Sequence, residues 1–170
     1  MNLEVLYQQL VEMFNYINIL RNQQCIIAFG YTGCGKSTMF NSLIFGPSSV
    51  RVVNVETEIE VPLLNGKTIR KKKLRKTIDI DPDRVPINYS FRIGHSQSQS
   101  ETFLPNLLFE KKTGNIYVDM AGLHDTSGDI IQLINWLITK QVFNIVHSFH
   151  LIVPITINQI MDARGHEMHE

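Results

Sequence analysis

The chain has 170 residues, of which 44% are hydrophobic and 19% charged, the composition of a folded globular domain with one core rather than two. Lys and Arg total 16, as do Asp and Glu, so no global field draws the whole chain to nucleic acid or to an anionic membrane. No run approaches the roughly 18–20 continuous apolar residues of a transmembrane helix, which excludes that class of span.

Residues 1–22 form the first unit. Leu3, Leu6, Leu10, Met13, Ile17 and Leu20 recur at spacings of three and four, with Val11 and Phe14 widening the stripe. This period predicts an amphipathic helix. Two readings stay open: packing on the sheet of its own domain, or a seam over residues 3–20 for a helical partner. Glu4, Gln8 and Gln9 stand where a secretory signal needs a basic start and an apolar centre, so a cytoplasmic location is expected. The two cysteines fit a reducing compartment, because Cys25 falls in a predicted buried strand and Cys34 in a glycine-rich loop.

Residues 23–170 read as one α/β domain. Residues 25–29 (CIIAF) form a short apolar run of the kind found in buried parallel strands. Residues 30–38 (GYTGCGKST) then match G-x-x-x-x-G-K-[ST]. Its glycines allow backbone conformations closed to residues with a Cβ, so that successive N–H groups can turn inward around phosphate oxygens. Gly30, Thr32, Gly33, Cys34, Gly35, Lys36, Ser37 and Thr38 are therefore the candidate phosphate-binding residues. Lys36 reaches the outer phosphates and the Ser37 hydroxyl is placed to ligate Mg²⁺. Residues 38–45 continue as a helix whose N-terminal dipole points at the same place, and Gly46-Pro47 ends it.

Two β-type runs follow, 51–64 and 67–80, joined across Asn65-Gly66 into a β-hairpin insertion covering about residues 51–80. The second run contains RKKKLRK at 70–76. The basic run invites a nucleic-acid or membrane reading, but Glu56, Glu58 and Glu60 on the opposing strand supply partners of opposite sign; a solvated, partly charge-paired edge is expected, with no clear nucleic-acid site, and a true polyanion patch is the alternative. Residues 81–86 (DPDRVP) predict a turn, 87–93 a further strand, and 94–100 (GHSQSQS) a polar loop. Residues 116–119 predict a second buried strand, 128–143 a helix, and 149–155 a final strand. Strands alternating with helices around a phosphate loop imply a mostly parallel sheet with flanking helices, the P-loop NTPase type of α/β fold, plus the inserted hairpin.

A second constellation lies in IYVDMAGLHDT, residues 116–126. Asp119 ends an apolar strand beside the phosphate loop, where a carboxylate can hold Mg²⁺. Gly122, three residues on, offers a backbone N–H near the site of a γ-phosphate.

Together the two segments resemble the G domains of P-loop GTPases, particularly the dynamin-, septin- and Era-like branches, over roughly residues 26–155. The resemblance rests on GYTGCGKSTMFNSLIFG, with Asn41, Leu43 and Gly46 in the family's positions, and on DMAGLHDT. It implies Mg²⁺-dependent GTP binding with slow hydrolysis serving as a conformational switch, and a loop threonine that completes the Mg²⁺ shell. Thr102 in SQSQSETFLP is the candidate, ahead of Thr57 and Thr77. On this reading Lys36, Thr102 and Gly122 carry catalysis, Ser37, Thr102 and Asp119 hold the metal, and a G-domain dimer is a possible partner arrangement.

The chain departs from the family in three places. Ala121 replaces the proline common in D-x-P-G. Leu123 stands where Ras-type enzymes carry the glutamine that orients the attacking water, so water activation must come from another group; His124 is adjacent. The Asn/Thr-Lys-x-Asp guanine motif is missing, and residues 139–142 (TKQV) lack its aspartate, so the sequence reads as a G domain truncated before that motif. Guanine rather than adenine is implied by the resemblance alone. The alternatives are an ATP-binding P-loop protein or a partial G domain with an interaction role. An ATPase of the AAA or ABC type would place Glu after Asp119, where this chain has Met120. The terminal HEMHE, residues 166–170, sets its histidines three apart, one short of a zinc-hydrolase motif.

Overall fold

A computed structural model of the chain describes residues 3–62, 68–85, 90–93, 105–122, 128–157 and 160. A four-stranded sheet has the order β4 (Asn106–Phe109), β5 (Ile116–Asp119), β1 (Gln24–Ala28), β6 (Ser148–Ile152). The two pairings that involve β1 are parallel, and β4 runs antiparallel to β5. The expected mixed α/β class, with a mostly parallel sheet, is therefore present. β4 has no counterpart in the sequence reading. At four residues it is too short for alternation to distinguish it from loop. Residues 90–93 of the expected strand 87–93 are irregular, and the rest of that strand lies outside the described residues.

The strand alternation sorts the core onto two faces. Cys25 and Ile27 of β1 and Val118 of β5 point to one face and pack with Met13 and Ile17 of α1 (Leu3–Ile17), with Leu20, and with Ile134, Ile138, Val142 and Ile145 of α3 (Asp129–Ile145). Ala28 and Tyr117 belong to the other face, against Phe40 of α2 (Lys36–Phe45) and Phe91. Phe40 lies 5.3 Å from Tyr117 and 5.4 Å from Phe91 between ring centroids. Period-two alternation in the strands thus places helices on both faces of the sheet.

The C-terminal part of the first helix takes the own-domain reading, since Met13, Ile17 and Leu20 are buried in the sheet core. Val11 and Phe14, counted in the same stripe, are more than a third exposed. The helix tightens into a 3₁₀ turn at Asn18–Leu20, and the Asn22 N–H then bonds the Ile145 carbonyl at 2.8 Å, tying the helix end to α3. Trp136 of α3 is exposed, with the Lys140 ammonium 5.4 Å from its ring centroid.

The hairpin forms a separate two-stranded sheet of β2 (Val50–Pro62) and β3 (Thr68–Ile80). Its register sets Pro62 opposite Thr68 and Val50 opposite Ile80. A two-residue turn at Asn65-Gly66 would instead set Leu64 opposite Lys67, one residue out of step. Asn65 and Gly66 themselves lie outside the described residues. The predicted turn after β3 is present, with the Arg84 and Val85 N–H groups both bonded to the Asp81 carbonyl at 3.0 Å. Arg51 braces it through Asp81 at 3.4 Å.

Candidate phosphate and cation site

The loop between β1 and α2 begins where the sheet delivers it. β1 pairs with β5 so that Ala28 stands opposite Asp119, and the Met120 N–H bonds the Ala28 carbonyl at 3.1 Å. This register brings the end of β5 beside the start of the loop. Both lie at the C-terminal ends of parallel strands, the end at which open α/β sheets bind ligands. A cavity of about 300 Å³ lined by Gln24, Cys25, Ile26, Asn115, Ser148, Phe149 and His150 lies at the opposite end, away from this chemistry.

Three glycines shape the loop. Gly30, Gly33 and Gly35 have φ of 150°, 78° and 90°, values that L side chains rarely adopt. Gly35 is also the N-cap of α2, and its left-handed conformation turns the chain into the helix. A Cβ at Gly30 would lie 3.2 Å from Cys34 Sγ and 3.4 Å from the Pro154 carbonyl oxygen.

Lys36 folds back across the loop it follows. Its side chain is buried, and Nζ donates to the carbonyl oxygens of Gly30 at 3.1 Å and Tyr31 at 2.9 Å, with Cys34 Sγ at 4.0 Å. These bonds hold an ammonium charge at the loop's centre. Thr32 and Thr38 are partly buried, and Gly33 and Gly35 are exposed.

Ser37 and Asp119 meet across 82 positions of sequence, the Ser37 hydroxyl donating to Asp119 Oδ2 at 2.5 Å. Asp119 has no exposed surface, and among the described residues its Oδ1 has no hydrogen-bond partner. Burial pushes its carboxyl up to about 6, against the opposing pull of the Ser37 hydrogen bond and the Lys36 charge. A buried carboxylate oxygen without a partner is costly, and a cation would satisfy it. Mg²⁺ takes one or two protein oxygens and completes its octahedron with water and phosphate. Ser37 Oγ and Asp119 fit that demand. Among the described residues no three His, Cys, Asp or Glu side chains gather into an all-protein metal site.

Gly122 closes the other side. A Cβ there would stand 2.2 Å from Thr32 Oγ1 and 2.6 Å from Thr32 Cα, so only hydrogen fits where the β5 loop crosses the phosphate loop. Gly30, Thr32, Gly33, Cys34, Gly35, Lys36, Ser37, Thr38, Asp119 and Gly122 are thus brought to one end of the sheet. Thr102, the expected third metal residue, lies outside the described residues, as do Leu123 and His124.

Asn41 has a larger part than its place in the motif suggests. Its side chain is buried and pairs with both backbone groups of one residue: Nδ2 donates to the Phe91 carbonyl at 2.8 Å, and the Phe91 N–H donates to Oδ1 at 3.0 Å. Ser49 Oγ donates to the Asn41 carbonyl at 3.0 Å. The helix after the loop is therefore tied to the segment at 90–93. Asn135 of α3 is a buried amide that sequence reasoning missed, and among the described residues neither of its side-chain polar atoms has a partner. Its neighbours in sequence are apolar, so nothing in the pattern marks it.

Comparison with protein-family models, with curated proteins and with solved structures finds no match.

Proposed function

We propose that this protein binds a nucleoside triphosphate with Mg²⁺, GTP being the expected base, and hydrolyses it slowly as a conformational switch in the manner of a P-loop GTPase. The observation that carries the reading is the pairing of Ser37 with a buried Asp119, whose second oxygen has no partner among the described residues, beside a loop of three positive-φ glycines and a buried lysine. A phosphate chain with its metal matches both halves, since it offers anionic oxygens to the loop amides and Lys36 and a cation to Asp119.

The chain's own residues then divide the work. The amides of residues 33–38 orient the phosphates, and Lys36 neutralises the outer ones. Ser37 and Asp119, now joined by a hydrogen bond, would together hold the cation. Bound Mg²⁺ supplies charge neutralisation of the phosphate oxygens. Gly122 brings a backbone N–H to the γ-phosphate end, next to Thr32. Leu123 has no polar atom to orient water, which is the reason to expect slow turnover unless a partner contributes a group.

The test is a titration of fluorescent GTP and ATP, with and without Mg²⁺, against the wild type and Lys36→Ala. Loss of the ammonium should weaken triphosphate binding by about 10- to 100-fold, the worth of one or two charge-assisted hydrogen bonds. Equal affinity in the variant would refute phosphate binding at this loop, and preference for ATP would replace guanine with adenine.

A further inference from the structure

The two edges of the four-stranded sheet differ in how they are guarded. β4 has four residues and runs directly into Glu110, Lys111 and Lys112. Short strands and flanking charges are the means by which sheets avoid pairing with another chain. β6 has no such protection. No Asp, Glu, Lys or Arg occurs between Lys140 and Asp162. Ser148, Phe149, His150 and Leu151 are all exposed, as are Val153 and Ile155 just beyond the strand.

Among the described residues β6 pairs along one side only, with β1. The Phe29 N–H bonds the Ile152 carbonyl at 3.0 Å, so by strand alternation the backbone groups of Ile152, His150 and Ser148 turn towards β1. Those of Phe149 and Leu151 turn to the open edge. The side chains of these two lie on the α3 face, because they stand beside Cys25 and Ile27 in the parallel register. Phe149 is 43% and Leu151 47% exposed there. The Phe143 ring of α3 lies 4.9 Å from that of Phe149. Trp136, two turns earlier on the same stripe of α3, is 58% exposed. The open edge and this flank of the helix thus present one apolar surface.

We propose that a second copy of this chain covers this surface, its β6 running antiparallel to the first about a two-fold axis at His150. The occupant follows from self-complementarity. An isologous interface sets a patch against itself, so a charged edge would meet its own charge. The free edges of β2, with Glu56, Glu58 and Glu60, and of β3, with its run from Arg70 to Lys73, would do so. β6 brings no formal charge to the axis. Pairing about His150 sets Phe149 opposite the partner's Leu151, and Leu151 opposite the partner's Phe149. These are the residues whose backbone groups face outward, so both pairs are of the hydrogen-bonded kind. The axis is normal to the sheet, which keeps the α3 faces of both copies on one side. The two helix flanks, each with its Trp136, then close over the apolar pairs. A five-residue strand alone gives less than the roughly 800 Å² per partner of a stable interface, and the helix flank with Val153 and Ile155 extends it. The inference stands apart from the nucleotide reading, since it uses none of the same residues.

Sedimentation velocity of the full chain supplies the first test. At roughly 100 μM, above the micromolar end of affinities for interfaces of standard size, the wild type should sediment as two chains. Leu151→Lys sets a charge at the open edge of each copy and should weaken the dimer by at least about a hundredfold. Val52→Lys adds the same charge to an exposed apolar position of the ribbon and should sediment as the wild type does. A monomeric wild type, or equal losses in the two variants, would overturn the proposal. Disulfide trapping in a Cys34→Ser background reads the axis itself and does not depend on the folding of Leu151→Lys. His150→Cys would set two thiols across a non-hydrogen-bonded pair, with Cα atoms about 4.5 Å apart, within reach of a disulfide. It should cross-link into a dimer under mild oxidation. Ser148→Cys, which falls opposite the partner's Ile152, should not. No cross-link at position 150, or equal cross-linking at both positions, would overturn the proposal.

Discussion

Replacing Asp119 by Asn removes a buried charge while leaving an oxygen for the Ser37 hydroxyl. Burial raises the folded carboxyl from 3.8 to about 6, so the folded state holds its proton more tightly than the unfolded chain does. The stability this group contributes is therefore fully present below about pH 4 and is lost as pH rises through about 6. Between about pH 5 and pH 8 the loss is on the order of 1–2 kcal/mol. For a chain of this length that corresponds to about 3–6 °C in Tm. Asp119→Asn has no such term, and every other titrating group is shared. Thermal melts of both proteins in nucleotide- and Mg²⁺-free buffer should show the variant gaining on the wild type by that amount from pH 5 to pH 8. The offset at pH 5 also contains the new amide N–H₂ group, so the change with pH is the diagnostic quantity. Parallel pH profiles, or a variant that falls further behind as pH rises, would refute the claim that the site holds a desolvated carboxylate. Adding GTP with Mg²⁺ should stabilise the wild type and leave the variant nearly unmoved, because the cation's anionic ligand is gone.

Gly122→Ala forces a methyl group into the backbone and side chain of Thr32, and should cost about 1–3 kcal/mol in urea unfolding, with weaker triphosphate binding because the two loops are pushed apart. Wild-type stability in that variant would mean that the loops do not pack as closely as Gly122 and Thr32 do here. Asn41→Ala strands the N–H and C=O of Phe91 in a buried setting and should cost about 2–4 kcal/mol. Equilibrium unfolding of Asn41→Ala beside Ser49→Ala, which removes a single hydroxyl bond, tests whether the paired amide is the larger tether.

What could be read in the sequence depended on how narrowly chemistry restricts each residue. The loop at 30–38 was legible because a glycine-rich turn, a lysine and a hydroxyl at fixed spacing have few physical solutions, and because a β-strand and a helix flank it. Asp119 was legible from its place at the end of an apolar strand. Its orphaned Oδ1 was not, since burial of one oxygen depends on packing from distant segments. β4 escaped because four residues carry no period, and Asn135 because its neighbours are apolar. The hairpin shows the limit most sharply. Its strands and its opposite charges were legible, but the pairing offset was not, and the offset decides which cations meet the glutamates. A two-residue turn would have set Glu56, Glu58 and Glu60 opposite Arg75, Lys73 and Lys71. The observed register gives Leu74, Lys72 and Arg70 instead, and a slip of one residue exchanges the two faces' charge balance.

The tethers around α2 explain why one unsatisfied oxygen can persist. Lys36 is fixed to the loop carbonyls, Asn41 holds both backbone groups of Phe91, 50 positions away, and Ser37 bonds the end of β5 while Phe40 packs on Tyr117 of the same strand. Those bonds oppose a shift of the helix or of β5 that would satisfy Asp119 Oδ1 from within the described residues. The cost of desolvating that carboxylate is then carried by the surrounding core, from Phe40, Phe91 and Tyr117 on one face to Ile27 and Val118 on the other. A loop free to relax would have closed over the carboxylate or exposed it to water. On the proposed reading a rigid one would keep it available for a cation, and the rigidity of α2's first two turns would then be part of the site's chemistry as well as of its fold.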